Sequence, residues 1–148
     1  MKVAPSVPLN VRSLTLAAWI NPANESYMPV FQFQEDGEYM GALLWAGQAP
    51  GGLKGTLYSN LRESHLNNAV IDAPGVIPTN QWTFVAVTYD QASGVQRLYV
   101  NGEIVKEANS GSLNPNTHAP LYIGHVPPTS LDLLRNISFM GEIDDPQV

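Results

Sequence analysis

Near the end of the chain, Glu142-Ile-Asp144 sets two carboxylates two positions apart, and strand alternation would put both on one face. A pair of carboxyl groups about 5–5.5 Å apart is what retaining glycoside hydrolysis requires. A second group of residues suits recognition rather than reaction. Tyr39, Trp45, Tyr58, Asn60, Arg62, His65 and Asn67 combine flat apolar rings with amide, guanidinium and imidazole groups, a mixture that fits a sugar ring or a peptide edge. Other chemistries find no support. The three histidines, His65, His118 and His125, are scattered, and no Gly-x-Ser-x-Gly elbow or His-Glu-x-x-His helix occurs. The chain has no cysteine, which removes thiolate nucleophiles, thiolate metal clusters and disulfides together.

The elements that must position these groups read as strands. Period-2 alternation between turn residues gives about nine or ten short extended segments and no long stretch at helical spacing. Leu14–Ile20, Tyr27–Gln34, Tyr39–Ala46, Lys54–Leu61, His65–Asp72 and Trp82–Tyr89 form the first series. Gln96–Val100 and Glu103–Lys106 flank Asn101-Gly102, whose two residues tolerate the positive φ angles of a type I′ hairpin turn. Ala119–Gly124 and Phe139–Val148 complete the set, and Pro146 assigns the last strand to a sheet edge or a bulge.

Alternation also sorts faces. Met40, Ala42, Leu44 and Ala46 read as core, with Tyr39 and Trp45 opposite; Gly55, Leu57, Ser59 and Leu61 point in, with Thr56, Tyr58 and Asn60 out. In the next run Leu66 and Val70 are read as inward, which turns His65 and Asn67 outward on the same side. Two outcomes stand for this face: an exposed ligand platform, or an ordinary sheet face in which Trp45 is satellite core under the loop 47–52. Trp19 and Trp82 are read as core.

At 148 residues, 44% hydrophobic and 14% charged, the chain has the size and composition of one domain, and an all-β chain must close its sheets on each other. The expectation is an all-β, two-sheet antiparallel sandwich spanning residues 1–148. A net charge of −6 with scattered Lys and Arg leaves no basic stripe for nucleic acid or an anionic membrane, and no apolar run is long enough to span a bilayer.

Three stretches resemble the laminin G-like jelly-roll domains of the concanavalin A-like lectin and glucanase superfamily. They are Ser13–Pro22, then Gln81–Asp90 running into Leu98–Gly102, and finally Leu121–Gly124 with Phe139–Asp145. Within them Trp82 is expected to plug the sheet edge, Asp90 to accept hydrogen bonds in a turn, and Asn101-Gly102 to make the tight turn. The resemblance implies a concanavalin A-like jelly roll, trimmed at both ends and cut from a larger chain. It implies a non-catalytic carbohydrate-binding or adhesive module, extracellular or at the cell surface, whose partners are a glycan or an extracellular protein and the neighbouring domains. A docking domain for a catalytic neighbour and a divergent glycoside hydrolase are the alternatives. Laminarinase-type relatives carry Glu-x-Asp-x-x-Glu, and here the sixth position is Gln147, which removes the general acid. Many relatives also bind calcium near the sandwich edge, which marks Asp144 as the candidate metal ligand.

Overall fold

The computed structural model describes residues 1–35, 40–47, 53–64, 66–128 and 137–148. In chain order the strands are β1 (Lys2–Val3), β2 (Leu14–Pro22), β3 (Met28–Gln34), β4 (Met40–Gly47), β5 (Thr56–Arg62), β6 (Asn68–Ala73), β7 (Thr83–Asp90), β8 (Val95–Val100), β9 (Glu103–Asn109), β10 (Leu121–Ile123), β11 (His125–Val126), β12 (Ile137–Ser138) and β13 (Gly141–Gln147). They form two antiparallel sheets, here sheet A in the order β1-β10-β3-β4-β5-β6 and sheet B in the order β13-β2-β7-β8-β9, with β11 and β12 as a separate pair. The expected two-sheet jelly-roll sandwich is what the chain forms, and every expected strand has a counterpart.

The sequence dictates this arrangement through alternation. In β2, Leu14, Leu16, Ala18 and Ile20 face the core; in β7, Val85, Val87 and Tyr89 do; and Leu98 follows in β8. Across the sandwich they meet Phe31, Phe33, Ala42, Leu44, Ala46, Leu57 and Leu61 from sheet A, closing one continuous apolar layer. Polar side chains inside it are paired: Gln96 Nε2 donates to Ser59 Oγ (3.0 Å), and Ser59 Oγ–H donates to the Leu43 carbonyl (2.8 Å).

Turn chemistry fixes the ends. Asn101 and Gly102 both have positive φ, 50° and 87°, as a type I′ hairpin demands. Asp90 accepts from Ser93 Oγ (2.6 Å) and from the Ser93 and Ala92 amides, and these bonds hold its carboxyl below the usual carboxylate range. The connection from β9 to β10 crosses one end of the sandwich, where the buried Tyr89 hydroxyl accepts the Leu113 N–H (2.6 Å) and donates to the Gly111 carbonyl. Its Asn116 carbonyl presses on Gly41 so closely that a Cβ there would lie 1.8 Å from the oxygen, which explains the glycine. Pro146 lies in β13 at the edge of sheet B, where a bulge separates Asp144 from Gln147, with Asp145 at φ 45°.

Three expectations about side-chain placement are corrected. Trp19 and Trp82 are exposed rather than core, because in β2 and at the entry to β7 the inward parity belongs to Ala18 and Ile20 and to Thr83 and Val85. In β6 the inward residues are Ile71 and Ala73, so Val70 stands 48% exposed on the outer face, and Leu66 lies 98% exposed in the turn before the strand. The predicted parity was off by one residue, which exchanges every side chain between faces.

Candidate functional site

The outer face of sheet A from β3 to β6 is built by residues of one parity from four strands. β3 contributes Gln32 and Gln34, β4 contributes Leu43 and Trp45, β5 contributes Tyr58, Asn60 and Arg62, and β6 contributes Asn68, Val70 and Asp72. Register places Trp45 opposite Tyr58 and Leu43 opposite Asn60, then Tyr58 opposite Asp72, Asn60 opposite Val70 and Arg62 opposite Asn68. Half of this face is roofed. Val126 of β11 and Ile137 of β12 pack on Leu43 and Trp45 in a second small hydrophobic cluster, joined by Tyr27, Met40 and Tyr58.

Under that roof Trp45 is only 4% exposed. Its indole N–H donates to Gln32 Oε1 (2.8 Å), Gln32 Nε2 donates to Gln34 Oε1 (2.6 Å), and Gln34 Nε2 reaches the Pro127 carbonyl (3.4 Å). Trp45 is thus satellite core, as the alternative reading of this face has it, although β11 and β12 supply the cover; the platform reading of Trp45 is corrected. The Tyr27 ring lies 4.2 Å from that of Trp45 and 6.0 Å from that of Tyr58, centroid to centroid. Burial raises the Tyr27 phenol far above its ordinary value, reinforced by Tyr58 and opposed by the Arg62 charge. Burial also raises Tyr58, against a hydrogen bond from Asn60 and the same Arg62 charge.

Toward β6 the roof ends. Tyr58 and Arg62 are half-buried there, and Asn68 and Val70 are exposed. Among the described residues four buried side-chain polar atoms lack a hydrogen-bond partner; two of them, Asn60 Oδ1 and Arg62 Nε, belong to β5, and a third, Asn116 Oδ1, to the β9–β10 connection. Asn116 is fastened here by its own N–H, which donates to the Arg62 carbonyl (2.8 Å).

Of the expected site residues, the structure brings together Trp45, Tyr58, Asn60 and Arg62, with Trp45 and Asn60 buried. Tyr39 and His65 lie outside the described residues. Asn67 belongs to the β5–β6 turn instead, where its Nδ2 donates to Glu63 Oε2 (2.6 Å) and its N–H to Ser64 Oγ (3.1 Å), so its place on the face is corrected. Asn68, Val70 and Asp72 take that place. The Ala69-Val70-Ile71 run carries their signal once Ala69 and Ala73 are read as the inward partners of Ile71.

Asp144 is on the other sheet, across from Trp19. One of its carboxylate oxygens accepts the Asp145 N–H (2.9 Å), and among the described residues no three His, Asp or Glu side chains converge on a point. Glu142 is likewise exposed on that sheet, with Asn21 Nδ2 donating to its Oε2 (3.1 Å).

None of the curated proteins matches the chain in sequence. Solved structures do match in fold. The carbohydrate-binding module CBM40 of the Ruminococcus gnavus IT-sialidase, bound to α2,3-sialyllactose, superposes with TM-score 0.71 at 11% identity, over 99% of this chain and 85% of that one. A heptameric SAP-like pentraxin from Limulus polyphemus superposes with TM-score 0.68 at 20% identity, over 93% of this chain and 63% of the pentraxin. Domain 4 of AbnA, a GH43 extracellular arabinanase from Geobacillus stearothermophilus, in complex with arabinotriose, gives TM-score 0.63 at 18% identity, over 98% of this chain and 63% of that one. These identities establish the fold alone. The laminin G family model described as the concanavalin A-like lectin/glucanases superfamily matches residues 2–148, and the chain belongs to that family.

Proposed function

We propose that this domain is a non-catalytic carbohydrate-binding module of a larger extracellular protein, with its ligand seated on the open half of the sheet A face. The observation that carries this reading is the unroofed part of the face, where the half-buried Tyr58 and Arg62 stand beside the exposed Asn68 and Val70. Sugar hydroxyls both donate and accept, so one ring can serve the Arg62 guanidinium and the exposed Asn68 amide together. The exposed Val70 and the Tyr58 edge offer apolar surface to the C–H side of that ring. The sialyllactose-bound and arabinotriose-bound neighbours support the ligand class. Gln147, standing where a glycosidase strand would carry its acid, supports the absence of catalysis, and the reading draws on no calcium.

A glycan array followed by calorimetry on each hit tests the proposal. At least one glycan binds, with or without EDTA, and Arg62→Ala and Tyr58→Ala each weaken it tenfold or more while the melting temperature holds within a few degrees. Binding that survives both substitutions, or no binding to any glycan, would overturn it.

A further inference from the structure

The opposite face of the sandwich carries a feature that none of the above uses. On β2 and β7, Trp19 and Phe84 lie directly across from each other, rings edge to face with centroids 5.5 Å apart, and Trp19 is 41% exposed. They line a shallow groove of about 570 Å³ with Asn101, Gly102, Asp145 and Gln147. One register step along the same face stand Ala17 and Ala86, small side chains that leave the aromatic pair standing proud.

The polar rim is held in place. Asn101 Oδ1 accepts the Phe84 N–H (3.0 Å), which leaves the amide nitrogen as that side chain's donor; Gln147 Nε2 donates to Asp145 Oδ2 (2.9 Å). Asp145, in the left-handed region at the bulge of β13, is one of the residues lining the groove.

We infer that this groove is a second glycan-binding platform, independent of the sheet A site, and that it takes neutral oligosaccharides. The lining holds two aromatic rings, two amides, a carboxylate and a glycine, with no aliphatic side chain, Lys or Arg. That set matches a polyhydroxyl ring, whose C–H face lies on the indole while the carboxylate and amides take its hydroxyls, better than it matches the aliphatic surface of a protein partner. Charge selects further. Glu142, Asp144 and Asp145 run along the adjoining edge strand, and Arg97, farther out on this face, is tied to Glu107, so an anionic sugar meets repulsion. Two sites on opposite sheets would let one module bridge two glycan chains.

The test is an indole N–H NMR titration of the intact chain with arabinotriose, cellotetraose, maltotetraose and xylotetraose, and with α2,3-sialyllactose as the acidic control. At least one neutral oligosaccharide shifts the Trp19 indole signal saturably, sialyllactose does not, Gln147→Ala weakens that binding tenfold or more in the same titration, and Trp19→Ala does so by calorimetry. Both altered residues are at the surface, so the variants fold. Arg62→Ala leaves the Trp19 titration unchanged, which separates the fate of this site from that of the sheet A site. The inference is overturned if no neutral oligosaccharide moves the Trp19 signal, if sialyllactose moves it as strongly, or if the shifts track protein concentration and report self-association.

Discussion

On the outer face of sheet A, Trp45 lies beneath Val126 and Ile137 with its indole N–H bonded to Gln32, whereas on the outer face of sheet B Trp19 stands 41% exposed beside Phe84. Both tryptophans occupy the same parity within their strands, facing away from the core. What separates them is a third layer. The β11–β12 pair crosses sheet A and turns half of its outer face into a small second core, while sheet B receives no such cover among the described residues. Facing out of a strand and facing solvent are therefore separate properties, and only the first is written in local alternation.

The largest test of that contrast is a pair of truncations. Trp45→Ala removes a buried ring and leaves Gln32 without its donor, so it should lower the unfolding free energy by about 3–5 kcal/mol in urea melts. Trp19→Ala forfeits mainly the contact with Phe84 and should cost about 0.5–1 kcal/mol. Equal costs would mean that the two faces are equally covered, and the distinction would fall.

A smaller effect probes the polar part of the roofed face. Gln32 is fully buried, accepting from Trp45 and donating to Gln34. Gln32→Leu keeps similar bulk yet strands one donor and one acceptor, so the expected loss is about 1–3 kcal/mol by denaturant titration. A neutral or stabilising outcome would mean that the Trp45–Gln32–Gln34 chain is dispensable and that the roof is held by apolar contact alone.

How far the sequence reveals all this depends on the strength of the local signal. The alternation of Leu14, Leu16, Ala18 and Ile20, and the Asn101-Gly102 turn, are strong enough that strands and hairpin were legible residue by residue. In β6 the inward partners of Ile71 are Ala69 and Ala73, whose weak hydrophobic signal loses to Leu66 and Val70 in the sequence. Leu66 is instead absorbed into the β5–β6 turn that Asn67 closes by bonding Glu63 and Ser64. That slip hid Asn68, Val70 and Asp72 from the candidate site. Burial of Trp45 was illegible for another reason: its cover comes from strands of two residues each, far along the chain, which are too short to show any period. Tyr58, Asn60 and Arg62 were legible because Leu57, Ser59 and Leu61 fix the parity of β5 unambiguously.

The gentlest measurement distinguishing the faces uses the tyrosines. Tyr27 and Tyr58 sit at the edge of the roofed cluster, and burial raises both phenols above the ordinary value near 10. A phenol is neutral when protonated, so a folded-state pKa above the unfolded one stabilises the fold fully below about pH 10, and that stability is lost as the pH climbs through the raised values. An alkaline titration followed by phenolate absorbance should show an early group of tyrosines and a trailing group that ionises only as the fold opens. Tyr27→Phe should shrink the trailing group by one phenol and make the protein more tolerant of alkali, because the variant has no phenol there to ionise. Ionisation of all six tyrosines in one step near pH 10, with the fold intact, would place Tyr27 in water and remove the roof from the sheet A face.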